Sequence, residues 1–295
     1  MNALIRAEAL GKRYGRRWAL TGCDLDIPAG HVVGLVGPNG AGKTTLLNLV
    51  TGQLAPSTGH LSVLGGEPGR DAAQLARVGY VAQDRPTYAH LSVADHLRLG
   101  RHLNPGWDDE LARRRVERLG LDLKRKAGRL SGGQRAQLAL TLGIAKRPEL
   151  LVLDEPVVSL DPFARREFLQ GLMEAAADTE LSVLLSSHLV SDLERTCDYL
   201  VLLDRGMVRM SAPLEEVIAT HRRLTGPRAE PSRLPQDMTV VNASHTDRQS
   251  TYVVHTDRPI HDPTWSVSRL SLEDVVLAYL TPASRESAPA MEVLR

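Results

Sequence analysis

The chain has 295 residues, 42% of them hydrophobic and 24% charged, with a formal net charge of +1. Such a length suits one large domain with a small one beside it, and near-balanced charge argues against general binding to nucleic acid or acidic lipid. No stretch approaches the roughly 18 uninterrupted apolar residues of a membrane span, no basic-then-apolar leader opens the chain, and Cys23 and Cys197 lack metal-ligand spacing, which suits buried thiols in a reducing compartment.

Residues 1–30 read as short strands and turns, with polar and apolar positions mixed at 5–10 and 20–27; the loop GKRYGRRWAL between them holds Tyr14 and Trp18. Residues 31–36 are apolar and β-branched, as in a buried parallel strand. The next eight read GPNGAGKT, followed by Thr45. Residues 44–50 keep leucines at helical spacing and stop at Gly52, a C′ residue. Strands are predicted at 59–64 and 78–82, with Gln83 just beyond. From 85 to about 147 the pattern turns helical: Ser92 and Asp95 form a capping box, Asp108 caps a helix ending near Gly120, and a third helix starts at Ser131. Strands return at 150–153, 181–186 and 199–203, and Asp161 (N-cap) with Pro162 (N1) opens a helix between the first two.

Near Gly226 the composition shifts, and Pro227, Pro231 and Pro235 mark a linker. Beyond it, 238–243, 251–255 and 265–268 alternate like half-buried strands, and Ser271 and Asp274 cap a helix over 271–280. The expectation is an α/β domain over 1–225 with a mostly parallel sheet and a helical insertion at about 85–147, followed by a linker and small α+β domain over 226–295.

Chemistry concentrates in three segments. The run Gly37, Pro38, Asn39, Gly40, Ala41, Gly42, Lys43, Thr44 matches G-x-x-x-x-G-K-[ST], and its place between a strand and a helix is the context that phosphate binding requires. Backbone N–H groups and a helix dipole of roughly half a positive charge converge there; Lys43 reaches the β- and γ-phosphates and the Thr44 hydroxyl binds Mg²⁺. The chain is expected to bind a nucleoside triphosphate. At LLVLDEP, a buried strand ends in two acids: Asp154 suits the Mg²⁺ shell, and Glu155 turns toward the γ-phosphate, where it can accept a proton from water. At LSGGQ, Ser131, Gly132, Gly133 and Gln134 open a helix and make a second anion site. One chain with one nucleotide loop has no use for both sites. Two copies facing head to tail would use both, each donating Ser131 and Gly133 to the other's ATP.

GPNGAGKT, LSGGQ and LLVLDEP in this order resemble the ATP-binding-cassette (ABC) family of ATPases over residues 1 to about 225. The resemblance implies that family's fold, a P-loop nucleotide-binding domain with a mostly parallel core sheet, an antiparallel β subdomain and a helical insertion. It also implies that Tyr14 stacks on adenine, that Gln83 touches Mg²⁺ and water, that the loop Ser159-Leu160-Asp161 crosses the dimer interface, and that His188 contacts the γ-phosphate and orients Glu155. The departure from the family pattern is Val157-Val158, which is expected to lie outside the reacting atoms.

ATP and Mg²⁺ are thus the expected cofactors, and a homodimer or heterodimer of cassette subunits the expected assembly. One cassette per chain without a membrane span implies a transporter subunit at the cytoplasmic face of the membrane, attached through a separately encoded permease, with no nucleic-acid partner. A soluble relative acting on ribosomes or DNA would be expected to carry two cassettes or a long coiled coil. A phosphate-loop enzyme that phosphorylates a small molecule would leave LSGGQ unexplained. LSLEDVVLAYL resembles the C-terminal extension of bacterial export-type subunits, which points to export.

Overall fold

The structure, a computed structural model, describes residues 3–84, 87–179, 181–229, 234 and 238–281. Its first strands, β1 (Ala3–Tyr14) and β2 (Arg17–Pro28), form one long antiparallel hairpin. The expected loop around Tyr14 and Trp18 is therefore mostly strand: Tyr14 pairs with Arg17 and Arg13 with Trp18. Only a tight turn remains, with Gly15 at a left-handed φ of 58°.

β3 (Val32–Val36) is buried at all five positions and leads into the loop before α1 (Lys43–Val50). Gly52 ends α1 as expected, at φ 73°. β4 (Thr58–Val63) joins the hairpin in a three-stranded sheet ordered β2-β1-β4. The short α2 (Ala72–Arg77) precedes β5 (Val78–Val81).

The insertion holds α3 (Val93–Leu103), α4 (Asp109–Arg118) and α5 (Gly132–Ala145). Its helices start where the sequence indicated. Ser92 and Asp95 make the capping box, Asp108 accepts the Leu111 N–H at 2.8 Å, and Ser131 and Gln134 make a second box. These helices bury a small core of their own around Val93, Leu97, Val116 and Leu138.

β6 (Leu150–Leu153), α6 (Pro162–Thr179), β7 (Ser182–Ser187), α7 (Val190–Thr196), β8 (Tyr199–Asp204) and β9 (Met207–Pro213) complete the central sheet. Its order is β5-β6-β7-β3-β8-β9, parallel except for β9. Side chains alternate between two apolar layers: Val183 and Leu185 of β7 join the layer that contains α6, while Leu184 joins the layer formed by α1 and the hairpin. Both sheet faces are covered, which accounts for the unbroken apolar runs of its strands.

α8 (Leu214–Thr220) leads into β10 (His221–Pro227), β11 (Thr239–His245), β12 (Gln249–His255), β13 (Ser266–Arg269) and α9 (Leu272–Leu280). The four strands form an antiparallel sheet ordered β11-β12-β10-β13. The boundary expected at 225/226 falls inside β10, where Pro227 still pairs with Gln249; Pro231 and Pro235 of the expected linker lie outside the described residues. α9 is no surface appendage. Leu272, Val275 and Val276 are buried in the same cluster as Leu193 and Leu200 of the central domain.

Candidate functional site

The C-terminal ends of β3, β6 and β7 lie side by side, because β7 pairs in parallel with both of the others. This sheet edge is where an open α/β fold positions ligand-binding groups. Gly37 ends β3 against the Leu203 carbonyl, which a Cβ would approach to 2.1 Å. Gly42 caps α1 at φ 108°. Both positions therefore require glycine. Lys43 is only 6% exposed. Its Nζ donates to the carbonyls of Gly37 at 2.8 Å and Pro38 at 3.3 Å, and lies 3.5 Å from Glu155 Oε1.

Glu155 follows β6 at a left-handed φ of 43°, which for a glutamate is strained. That turn re-aims its carboxylate as the sequence suggested. One oxygen faces Lys43, and the other accepts a hydrogen bond from His188 Nδ1 at 3.1 Å. The His188 proton shared there sits on Nδ1, since a carboxylate only accepts. Among the described residues Nε2 has no partner and His188 lines the cavity.

That cavity, about 780 Å³, brings together Tyr14, Asn39, Gly40, Gly42, Lys43, Thr44, Thr45, Gln83, Glu155 and His188. Pro38 and Ala41 belong to the same loop, where the Ala41 N–H donates to the Pro38 carbonyl at 3.1 Å. Four further lining residues were missed: Arg17, Trp18, Ala19 and Val158. The signal for the first two was the hairpin, which sets Arg17 opposite Tyr14 and lays Arg13 over Trp18 at 5.5 Å. Val157 is buried, but Val158 opens onto the cavity, closer to the site than expected.

Asp154 is 2% exposed, and among the described residues it has no ion pair; the Ser186 hydroxyl donates to its Oδ1 at 2.7 Å. A buried carboxylate without a cation is costly. Thr44 and Gln83 line the cavity and Asp154 adjoins its lining residue Glu155 in the chain; carboxylate, hydroxyl and amide oxygens are the hard donors that Mg²⁺ takes, so these residue types fit that ion.

Ser131, Gly133, Gln134 and Asp161 lie elsewhere, around a second cavity of about 430 Å³. The Ser131 hydroxyl accepts the Gln134 N–H, and the Gln134 side chain accepts the Ser131 N–H, both at 3.1 Å. The box uses one of the two acceptor lone pairs of the Ser131 hydroxyl and leaves its proton to donate. A Cβ on Gly132 would meet nothing within 4 Å, whereas one on Gly133 would meet Ala164 at 2.9 Å. Asp161 Oδ1 caps α6 through the N–H groups of Phe163 and Ala164, each at 3.0 Å.

A family model described as ABC transporter matches residues 20–158. The chain is 36% identical over 205 residues to the thiamine import ATP-binding protein ThiQ of Jannaschia sp., covering 67% of this chain and 88% of that protein. It is 29% identical over 207 residues to the lantibiotic transport ATP-binding protein SrtF of Streptococcus pyogenes, covering 70% and 89%. Among solved structures, cbiO1 of Clostridium perfringens, described as part of the ABC transporter complex cbiONQ, superposes with a TM-score of 0.64 at 25% identity, covering 74% of this chain and 92% of that one.

Proposed function

The chain belongs to the ABC transporter family of ATP-binding proteins and is an ATPase, and from that premise we propose that it powers export through a separately encoded membrane permease. The observation that supports a dimeric motor behind this reading is the separation of its two expected anion-binding segments. The phosphate loop is furnished with Lys43, Glu155 and His188, while Ser131 and Gly133 border a different cavity. Ser131 completes a nucleotide site only when supplied by a second cassette facing the first, so closure and opening of such a dimer is the mechanical output. Among the described residues no helix is long and apolar enough to cross a membrane, which suits a subunit that acts through a partner at the cytoplasmic face.

In the proposed mechanism Tyr14 stacks on adenine, and the N–H groups of residues 37–45 and the Lys43 ammonium hold the phosphates. Thr44, Gln83 and Asp154 would hold Mg²⁺, which when bound supplies positive charge to the β- and γ-phosphate oxygens. Glu155 orients water and takes its proton, His188 fixes the Glu155 carboxylate, and the partner's loop, from the position of Ser131, donates to the γ-phosphoryl oxygens. Export, rather than import, rests on the likeness of LSLEDVVLAYL to the extension of export-type subunits; the named relatives include a thiamine import protein and a lantibiotic transport protein.

The test is capture of the tagged chain from its native host in mild detergent, with partners identified by mass spectrometry. A polytopic membrane protein recovered in near-equal amount is the expected result. Ribosomal proteins or nucleic acid from the soluble fraction, without a membrane partner, would overturn it.

A further inference from the structure

Ser186, two residues before His188 near the end of β7, has surroundings that the roles of its neighbours do not explain. Ser186 is fully buried, with 0% exposure. It pairs with Leu35 of β3 and follows Leu184 on the strand face that packs against α1 and the hairpin. By alternation an aliphatic side chain belongs there. A buried hydroxyl in its place is costly unless its hydrogen bonds are made. Both of them go to the acidic strand end: Ser186 Oγ donates to Asp154 Oδ1 at 2.7 Å and accepts the Glu155 N–H at 2.8 Å.

We propose that Ser186 is a positioning residue that sets both acids of the site at once, by holding the Asp154 carboxylate and pinning the backbone turn that aims Glu155. This rests on the roles assigned above to Asp154 and Glu155. The two bonds act differently. The donated one leaves Asp154 a single orientation, as partners of metal-binding carboxylates do. The accepted one fixes the N–H at the start of the left-handed Glu155 turn, a backbone conformation that is unfavourable by itself for a residue with a side chain. Only a group that both donates and accepts, within a small volume, can serve both. The neighbouring Ser187 has a local task instead, since its Oγ accepts the Leu189 N–H at 3.0 Å.

The test uses the full-length chain carrying Ser186→Ala, Ser186→Cys or Ser186→Thr. Affinity for ATP is measured in EDTA, affinity for Mn²⁺ in the ADP complex by electron paramagnetic resonance, and kcat and KM under turnover. Ser186→Ala and Ser186→Cys are expected to keep ATP affinity in EDTA within about twofold, to lose about 10-fold or more in Mn²⁺ affinity, and to lose kcat with little change in KM; Ser186→Thr restores both. Wild-type Mn²⁺ affinity and kcat in the folded alanine and cysteine variants would overturn the proposal. So would an equal loss of ATP affinity in EDTA, which marks a general packing defect. The Mn²⁺ measurement involves no turnover, so it stands apart from the assignment of Glu155 as base, which fails separately if Glu155→Gln keeps its rate.

Discussion

Two histidines close to strand ends in this molecule show how differently one fold can surround the same side chain. His188 follows β7 and its side chain is 40% exposed; His221 opens β10 and is 2% exposed. His188 gives Nδ1 to Glu155 and turns its other face to the cavity. His221 has no nitrogen to spare: Nδ1 donates to the Val217 carbonyl at 2.7 Å, and Nε2 accepts from the Tyr279 hydroxyl at 3.0 Å. Burial pushes the His221 imidazole down to about 4, aided by the neighbouring His255 and Arg222 charges. It serves as a neutral strut that ties α8 and β10 to α9. The residue type is the same at both places, and the difference lies in what meets the second nitrogen.

The contrast can be broken first at Glu155. Glu155→Gln should lower ATP turnover by 10²- to 10⁴-fold, roughly 3–5 kcal/mol of barrier, with ATP binding intact; a variant that keeps near wild-type turnover ends its assignment as base. His188→Ala removes one hydrogen bond to a charged group, about 1.5–3 kcal/mol, so turnover should fall roughly 10- to 100-fold. Equilibrium binding of a fluorescent ATP analogue should stay within about twofold. If turnover is unchanged, His188 is no more functional than His221.

His221 sharpens the other side. Its pKa is lower in the folded chain than in the unfolded one, so between about pH 4 and 6.5 the unfolded chain binds more protons. Stability therefore rises with pH through that window, is complete above 6.5, and is lost as pH falls toward 4. Urea unfolding should show a loss of about 2 kcal/mol from this group between pH 7 and pH 5, and His221→Phe should flatten that slope while leaving turnover per folded molecule unchanged. An unaltered slope would remove His221 as the cause.

Much of the site was legible because its signals are local. The phosphate loop, the acids ending β6, the helix start at Ser131 and the capping boxes at Ser92 and Ser271 each rest on residues within a few positions of one another. Other features gave no such signal. α7 and α8 are short and lack side-chain caps, so nothing marked their starts. Arg17 and Trp18 enter the cavity only because the hairpin runs much further than its mixed polarity suggested. Ser186 reads as an ordinary strand serine until β6 is laid beside β7.

Residue order alone determined that a phosphate-loop motif, an acidic strand end and a serine-glycine helix start occur in one chain, since each depends on backbone turns and caps that a few neighbouring residues specify. Which side chains meet across the sheet was decided by the tertiary structure. Strand pairing put Ser186 between Asp154 and Glu155, and packing drew α9 into the central core although Pro227, Pro231 and Pro235 suggested a boundary. The apolar stripe of α9 demanded burial, but periodicity names no partner, and the surface that covered it came from elements about 80 residues earlier in the chain, around Leu193 and Leu200.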